Sequence, residues 1–237
     1  MSCATTWQPV VAADALRAGQ NIVAALVQGQ ALALWRSSAG AAQAWEDRCP
    51  HRGMRLSLGR IVRDHLSCAY HGWEYAANSG CCVAIPALRA LPRSALAGKV
   101  CVKTFPVHEA HAMVWVRLDG DATPTAPSAV AMLPDAATAT AQAQPRFICS
   151  LGVYGTAQRL QGELARHGFV QQEACVWHGA LAQRPVHALT LQANHGLCFV
   201  HLWLAKAAGG GAPAPLFAAV RRLRADIEAT AGEGCSA

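Results

Sequence analysis

Residues 49 to 75 read CPHRGMRLSLGRIVRDHLSCAYHGWEY, and this stretch decides how the rest of the chain is read. Cys49-Pro50-His51 opens it, sixteen residues intervene, and Cys68-Ala69-Tyr70-His71 follows. These are two Cys-His pairs, C-x-H and C-x2-H. Each is followed closely by a glycine, Gly53 or Gly72.

Two cysteines and two histidines also suit a tetrahedral structural zinc ion. Zinc fingers, however, pair like with like, a Cys-Cys loop first and a His-His segment later. Here each short loop carries one of each. Two such loops meeting face to face place both sulfurs on one side and both imidazoles on the other. A binuclear cluster with chemically distinct irons needs that segregation. In a Rieske [2Fe–2S] centre two cysteines hold one iron and two histidines replace cysteines on the other. The expected ligands are therefore Cys49 and Cys68 on the inner iron and His51 and His71 on the outer one. Gly53 and Gly72 fall where the backbone must pass close to bridging sulfides and donate N–H bonds to them.

Cys49-Pro50-His51-Arg52-Gly53 and Cys68-Ala69-Tyr70-His71-Gly72-Trp73, continuing to Gly80 and Ile85-Pro86, resemble the ring-hydroxylating (Rieske non-haem iron) oxygenases. Trp7-Gln8-Pro9 and Val114-Trp115-Val116 resemble the edges of the same domain, so the resemblance runs from residue 7 to about residue 118. Rieske proteins of respiratory complexes carry an extra cysteine in each cluster loop. This chain has Met54 after Gly53, and Ala69-Tyr70 within its second pair. The resemblance therefore implies the lower-potential oxygenase type of cluster, with fewer hydrogen bonds to its sulfurs. It also implies an NAD(P)H-dependent reductase or ferredoxin as electron donor, and an oligomer.

Composition narrows the setting. No run of eighteen apolar residues marks a membrane span, and the first residues lack the basic-then-apolar pattern of a signal peptide; a cytoplasmic protein is expected. The ten cysteines then read as thiols and ligands rather than a disulfide framework. Cys81-Cys82 reads as a turn with small side chains. Cys3, Cys101, Cys149, Cys175, Cys198 and Cys235 read as small hydrophobes or exposed thiols. A net charge of +6 without basic blocks or interleaved aromatics excludes a nucleic-acid reader. Arg48, Arg52 and Arg55 gather at the first cluster loop. They either solvate it or form a positive rim that steers an acidic partner.

Along the chain, the runs 22–27, 31–36 and 43–48 read as strands of a meander, with Gln28-Gly29 and residues 37–40 as turns. Short strands are expected near 65–69 and 73–76, then at 100–104 and 112–117. The fold class expected is α+β. Residues 1–120 form an all-β Rieske domain, an antiparallel barrel or sandwich with an inserted cluster-binding subdomain. Residues 121–145, rich in Ala, Thr and Pro, form a linker, and 146–237 a small α+β domain. In that last part a strand spans 147–153, and a helix capped by Thr156 runs to about His167 and stops at Gly168. Another strand covers 169–177, and a hairpin covers 185–205 around residues 192–196. Residues 209–215 form a flexible break. Leu216, Val220, Leu223 and Ile227 line one face of a helix over 215–230. This region resembles, loosely, a reduced oxygenase catalytic-type domain.

Oxygen chemistry in the resembled family needs a mononuclear iron held by two histidines and a carboxylate. The helical D/E-x2-H-x4–5-H spacing that supplies the histidines is absent. His108 and His111 read as surface histidines. Glu163 and His167 make a salt bridge or a metal corner, and His195 and His201 lie too far apart along a strand to share a metal. Asp226 falls at the place of the family's carboxylate, a weak candidate without its histidines. Three functions follow. The first is an electron-transferring oxygenase component or accessory subunit. The second is a mono- or dioxygenase (a hydroxylase or demethylase) with an unconventional iron(II) site drawn from Asp226, His167, His178, His187, His195 or His201. The third is a degenerate paralogue with a structural or regulatory cluster.

Overall fold

The computed structural model describes residues 7–88, 98–119, 145–205 and 213–229. The chain divides into two compact units, one of residues 1–26 and 30–125 and the other of residues 27–29 and 126–237. Residues 121–144, Cys3, Cys235 and most of the 209–215 stretch lie outside the described residues.

The first unit is all β. Strands β1 (Gln8–Ala12), β2 (Ile22–Val27), β3 (Gln30–Arg36) and β4 (Ala42–Glu46) open it. The four short strands β5 (Arg60–Val62), β6 (His65–Ser67), β7 (Glu74–Ala76) and β8 (Cys82–Ala84) follow. Then come β9 (Thr104–Phe105), β10 (Val107–Ala110) and β11 (Met113–Val116). They form three antiparallel sheets, β1–β11–β10, β2–β3–β4–β9 and the inserted β5–β6–β7–β8. The meander and the cluster insertion lie where the alternation of apolar residues put them. The exception is the 100–104 run, which pairs as a strand only from Thr104. Ahead of it Cys101 forms a single bridge with Cys81.

Apolar residues of two sheets meet in one core beneath the cluster loops. Trp35 and Trp45 are fully buried and cross edge to face at 5.0 Å, a favourable arrangement of ring quadrupoles. Leu56, Leu66, Tyr75, Cys82 and Ile85 fill the same core, and so do Cys49 and Cys68. The two cysteines thus stand on a rigid floor although the loops that carry them are short.

The second unit is α+β. Strand β12 (Arg146–Tyr154) precedes helix α1 (Ala157–Arg166), and β13 (Val170–Glu173), β14 (Val176–Leu181), β15 (Arg184–Asn194), β16 (Leu197–Leu204) and helix α2 (Pro213–Ala229) follow. The five strands form one antiparallel sheet in the order β12–β16–β15–β14–β13. Thr156 accepts a hydrogen bond from the Arg159 N–H at 3.3 Å and caps α1. At the other end Gly168 takes φ +78°, Phe169 N–H bonds to Leu164 O and Gly168 N–H to Ala165 O. That is a Schellman stop, which a Cβ in the left-handed conformation would disfavour. The stripe Leu216, Val220, Leu223 and Ile227 of α2 is buried in one core with sheet residues such as Val186, Val200 and Leu202. α2 begins at Pro213, two residues ahead of the expected start, because proline suits the first helical turn.

Candidate functional site

The two Cys-His loops are built alike despite their different spacing. In each, glycine is the fourth residue after the cysteine. Gly53 N–H bonds to Cys49 O at 2.7 Å, and Gly72 N–H to Cys68 O at 3.0 Å. In each, the cysteine N–H bonds to the carbonyl five residues on, Met54 at 2.7 Å and Trp73 at 2.9 Å. Both glycines are left-handed, at φ +73° and +69°, a conformation available at little cost only without a side chain. At Gly72 a Cβ would also stand 3.0 Å from Pro86 Cγ. The C-x-H and C-x2-H patterns are thus two ways of mounting an imidazole on one kind of turn.

The loops converge with the segregation the sequence predicts. Both thiols are inside, 2% and 3% exposed, and close enough for Cys49 to act as hydrogen-bond partner to Cys68. The His51 and His71 rings lie 4.9 Å apart, with His71 exposed and His51 half-buried. His51 stacks flat on Trp73 at 4.3 Å, and His71 rests against Tyr70 at 3.7 Å. Burial, then the charges of His71 and Arg52, hold the His51 imidazole below its usual range, in the neutral form that offers a lone pair. Burial, opposed by the Tyr70 and His71 N–H groups and reinforced by Cys49, pushes the Cys68 thiol up. A donor set of two interior thiols and two outer imidazoles fits a Rieske [2Fe–2S] cluster. One feature escaped the sequence: the buried Tyr75 hydroxyl lies 3.1 Å from Cys49 Sγ. A hydrogen bond to a ligating sulfur stabilises the reduced state and raises the potential.

The arginine rim is smaller than expected. Arg48 and Arg52 are exposed, but Arg55 pairs with the buried Asp47 at 3.2 Å. Asp47 in turn accepts bonds from the Ser57 N–H and hydroxyl, which pins the first loop.

The cysteine reading needs one correction. Cys81 and Cys101 form a disulfide. Cys81-Cys82 is not a turn: Cys81 bridges Cys101, and Cys82 begins β8 with its side chain buried. The remaining described cysteines, 49, 68, 82, 149, 175 and 198, form no disulfide.

The histidines outside the loops are sorted by the fold. His111 is buried in the β10–β11 turn, not at the surface, while His108 packs on Trp7 at 5.8 Å. Glu163 pairs with Arg166 rather than with His167. His167 Nε2 instead meets Asp226 Oδ2 at 3.1 Å, where α1 and α2 pack, with Arg222 3.8 Å from the same oxygen. His195 is exposed at the hairpin turn, whereas His201 is buried and bonded to Ser150 Oγ at 2.7 Å. Among the described residues no three His, Cys, Asp or Glu side chains are placed to hold one metal ion. A cavity of about 200 Å³ at the sheet end, between Arg146, Arg184, Leu216 and Phe217, contains neither histidine nor carboxylate.

His178 and His187 face each other across β14 and β15 with ring centroids 4.3 Å apart. His178 Nε2 and His187 Nδ1 are buried without hydrogen-bond partners. Burial, then His178, lowers the His187 pKa to about 4. The folded value lies below the unfolded one, so the unfolded chain takes the proton more readily. Stability is full above about pH 6.5 and falls as the pH drops towards 4, by roughly 3 kcal/mol in all. Denaturant titrations at pH 7.5 and pH 4.5 should show this loss, and His187→Phe should remove most of it. An unchanged pH dependence in the variant would refute the assignment.

Residues 6–106 match the Rieske [2Fe–2S] domain. The chain therefore carries a Rieske domain, whose cofactor is a [2Fe–2S] cluster, and proteins named as oxygenase or demethylase components are among those it is similar to. It is 41% identical to Oxidoreductase NdmD of Pseudomonas putida over 112 residues, 47% of this chain and 18% of that protein. It is 38% identical to the 3-chlorobenzoate-3,4-dioxygenase oxygenase subunit of Comamonas testosteroni over 110 residues, 46% of this chain and 25% of that one. The chain thus matches a quarter or less of these relatives' length. In fold it resembles NdmB of Pseudomonas putida CBB5, with a TM-score of 0.71 at 19% identity, over 94% of this chain and 81% of that one. No helix among the described residues is long and apolar enough to cross a membrane.

Proposed function

We propose that the chain is an electron-transferring Rieske component of an oxygenase system, with Cys49 and Cys68 on one iron and His51 and His71 on the other. The observation that carries this is the matched pair of loops, thiols inside and imidazoles outward. A Rieske cluster takes up and gives up one electron at a time. The chain's own residues do the rest. The Trp35–Trp45 core fixes the thiols, Trp73 and Tyr70 hold the two imidazole rings, and the outward His71 offers the short route to a docked partner. Arg48 and Arg52 beside it favour an acidic surface, such as that of a ferredoxin or of an NAD(P)H-dependent reductase domain. The acceptor is an oxygenase site, in this chain's own oligomer or in a catalytic subunit. A division at residues 1–120, 121–145 and 146–237 belongs to this reading, and so does a cytoplasmic setting. The names of the relatives, an oxidoreductase and an oxygenase subunit, support it.

One observation favours a second reading, an oxygenase proper. The His167–Asp226 contact brings one histidine and one carboxylate together from two helices, two of the three ligand types that a mononuclear iron(II) site uses. Iron and acid-labile sulfide analysis of the purified chain separates the two. Iron equal to sulfide, with rapid reduction by a ferredoxin–reductase pair and no oxygen-dependent turnover, supports the carrier. Iron in excess of sulfide, lost in Asp226→Ala and accompanied by oxygen uptake, overturns it.

A further inference from the structure

The disulfide is the feature that an electron-carrying Rieske domain does not use, and its position gives it a role. Cys81 and Cys101 are an isolated antiparallel bridge pair with Cα atoms 3.9 Å apart. Around it, Cys82 N–H bonds to Val100 O at 2.8 Å and Val102 N–H to Gly80 O at 2.9 Å. These bonds set the segment that begins at Gly80. That segment carries Cys82 and Ile85 into the core shared with Cys49 and Cys68. It ends at Pro86, whose ring packs on the backbone of Gly72 in the second cluster loop. The disulfide therefore clamps the strand that leads to the Pro86 contact with the second cluster loop. Cys101 is exposed and Cys81 half-buried, so the bond is open to attack from solvent. Exposed disulfides are the labile kind. Cys82, next in sequence, points the opposite way along the strand and is 1% exposed, which keeps it out of exchange.

We propose that Cys81–Cys101 is a redox-active disulfide whose opening by a protein dithiol loosens the strand over the second cluster loop and shortens the lifetime of the cluster. In the exchange, a thiolate of the dithiol attacks the Cys101 sulfur, and Cys81 leaves as a thiolate and takes up a proton. The second thiol of the dithiol, losing its proton, then resolves the mixed disulfide. Two electrons pass to the protein, which ends with two thiols, and the dithiol ends as a disulfide. This role lies beyond electron transfer itself and rests on the cluster being held by residues 49–71.

The test uses the purified, cluster-loaded full chain and reduced thioredoxin as the dithiol. Alkylation and mass spectrometry should find Cys81 and Cys101 protected before treatment and labelled after it. Loss of cluster absorbance under air should then quicken by about fivefold, a local-opening effect. Cys101→Ser should lose its cluster at the fast rate with or without thioredoxin, and Cys149→Ser should behave as the parent. Labelling of both cysteines before treatment, or resistance to thioredoxin, would overturn the redox-active bond. Opening without a change in cluster lifetime would overturn the coupling. Because the labelling requires no cluster, failure of the ligand assignment would be told apart from failure of the disulfide.

Discussion

His71→Ala should abolish the Rieske EPR signal of the dithionite-reduced protein while leaving the fold intact. The His71 side chain is exposed, and its described ring contacts are with Tyr70 and His51, so its removal costs little packing. Under the proposed ligation it supplies one of the two imidazoles that make the outer iron distinct from the inner one, and alanine offers no donor in its place. The iron content should drop towards zero and the circular dichroism in the far ultraviolet should stay that of the parent. His51→Ala should lose the signal too. It should also lower the denaturant midpoint, because the His51 ring stacks flat on Trp73. His108→Ala, packed on Trp7 in the same unit, is the control and should keep both irons. A Rieske signal that survives at full intensity in either loop variant would show that the histidines are not ligands. Retention of zinc in place of iron would restore the tetrahedral Cys2His2 reading that the loop pattern disfavours.

The two Cys-His loops were legible because their pattern is local. Cysteine, histidine and glycine fall within each turn, and the turn's hydrogen bonds close over five residues. What was hidden depends on register. Cys81 meets Cys101, twenty residues on, only because an antiparallel bridge sets them opposite. A spacing alone carries no such information. His178 and His187 meet because the hairpin turns at Ala182-Gln183, both at positive φ. Neither residue is among the glycines and asparagines that signal such a turn, so the strands on either side were read without their connection. His167 caps α1 and Asp226 lies in α2, so their contact is a product of helix packing. Tyr75 was visible as a strand residue, but that its hydroxyl reaches the Cys49 sulfur follows from the pairing of Tyr75 with Leu66 and Cys82. Patterns within a turn or a helix face are thus readable. Pairings across a sheet need the register first.

Gly59→Ala should be the most damaging single methyl group that can be added near the centre. Gly59 has φ −78°, which any residue adopts, so the penalty comes from space and not from conformation. A Cβ there would press against the Ser67 carbonyl oxygen, inside contact distance, and stand 2.9 Å from Leu56 O and 3.3 Å from Leu66 Cδ2. Two of these are backbone atoms that cannot swing aside. Ser67 immediately precedes Cys68 and pairs with Arg60 in the β5–β6 ladder, so relief of the clash has to move the strand leading into the second cluster loop. Overpacking of this kind costs about 1–3 kcal/mol, and displacing Cys68 relative to Cys49 weakens the hold on iron as well. The expected result is a lower denaturant midpoint together with less than half the parent's iron per chain. Gly162→Ala makes the comparison. This exposed glycine in α1 has nothing within 4 Å of its Cβ position, and alanine there should stabilise the helix by about 1 kcal/mol without touching the iron content. Should Gly59→Ala bind iron like the parent, the close approach of the first loop to Ser67 would not be what sets the two loops against each other.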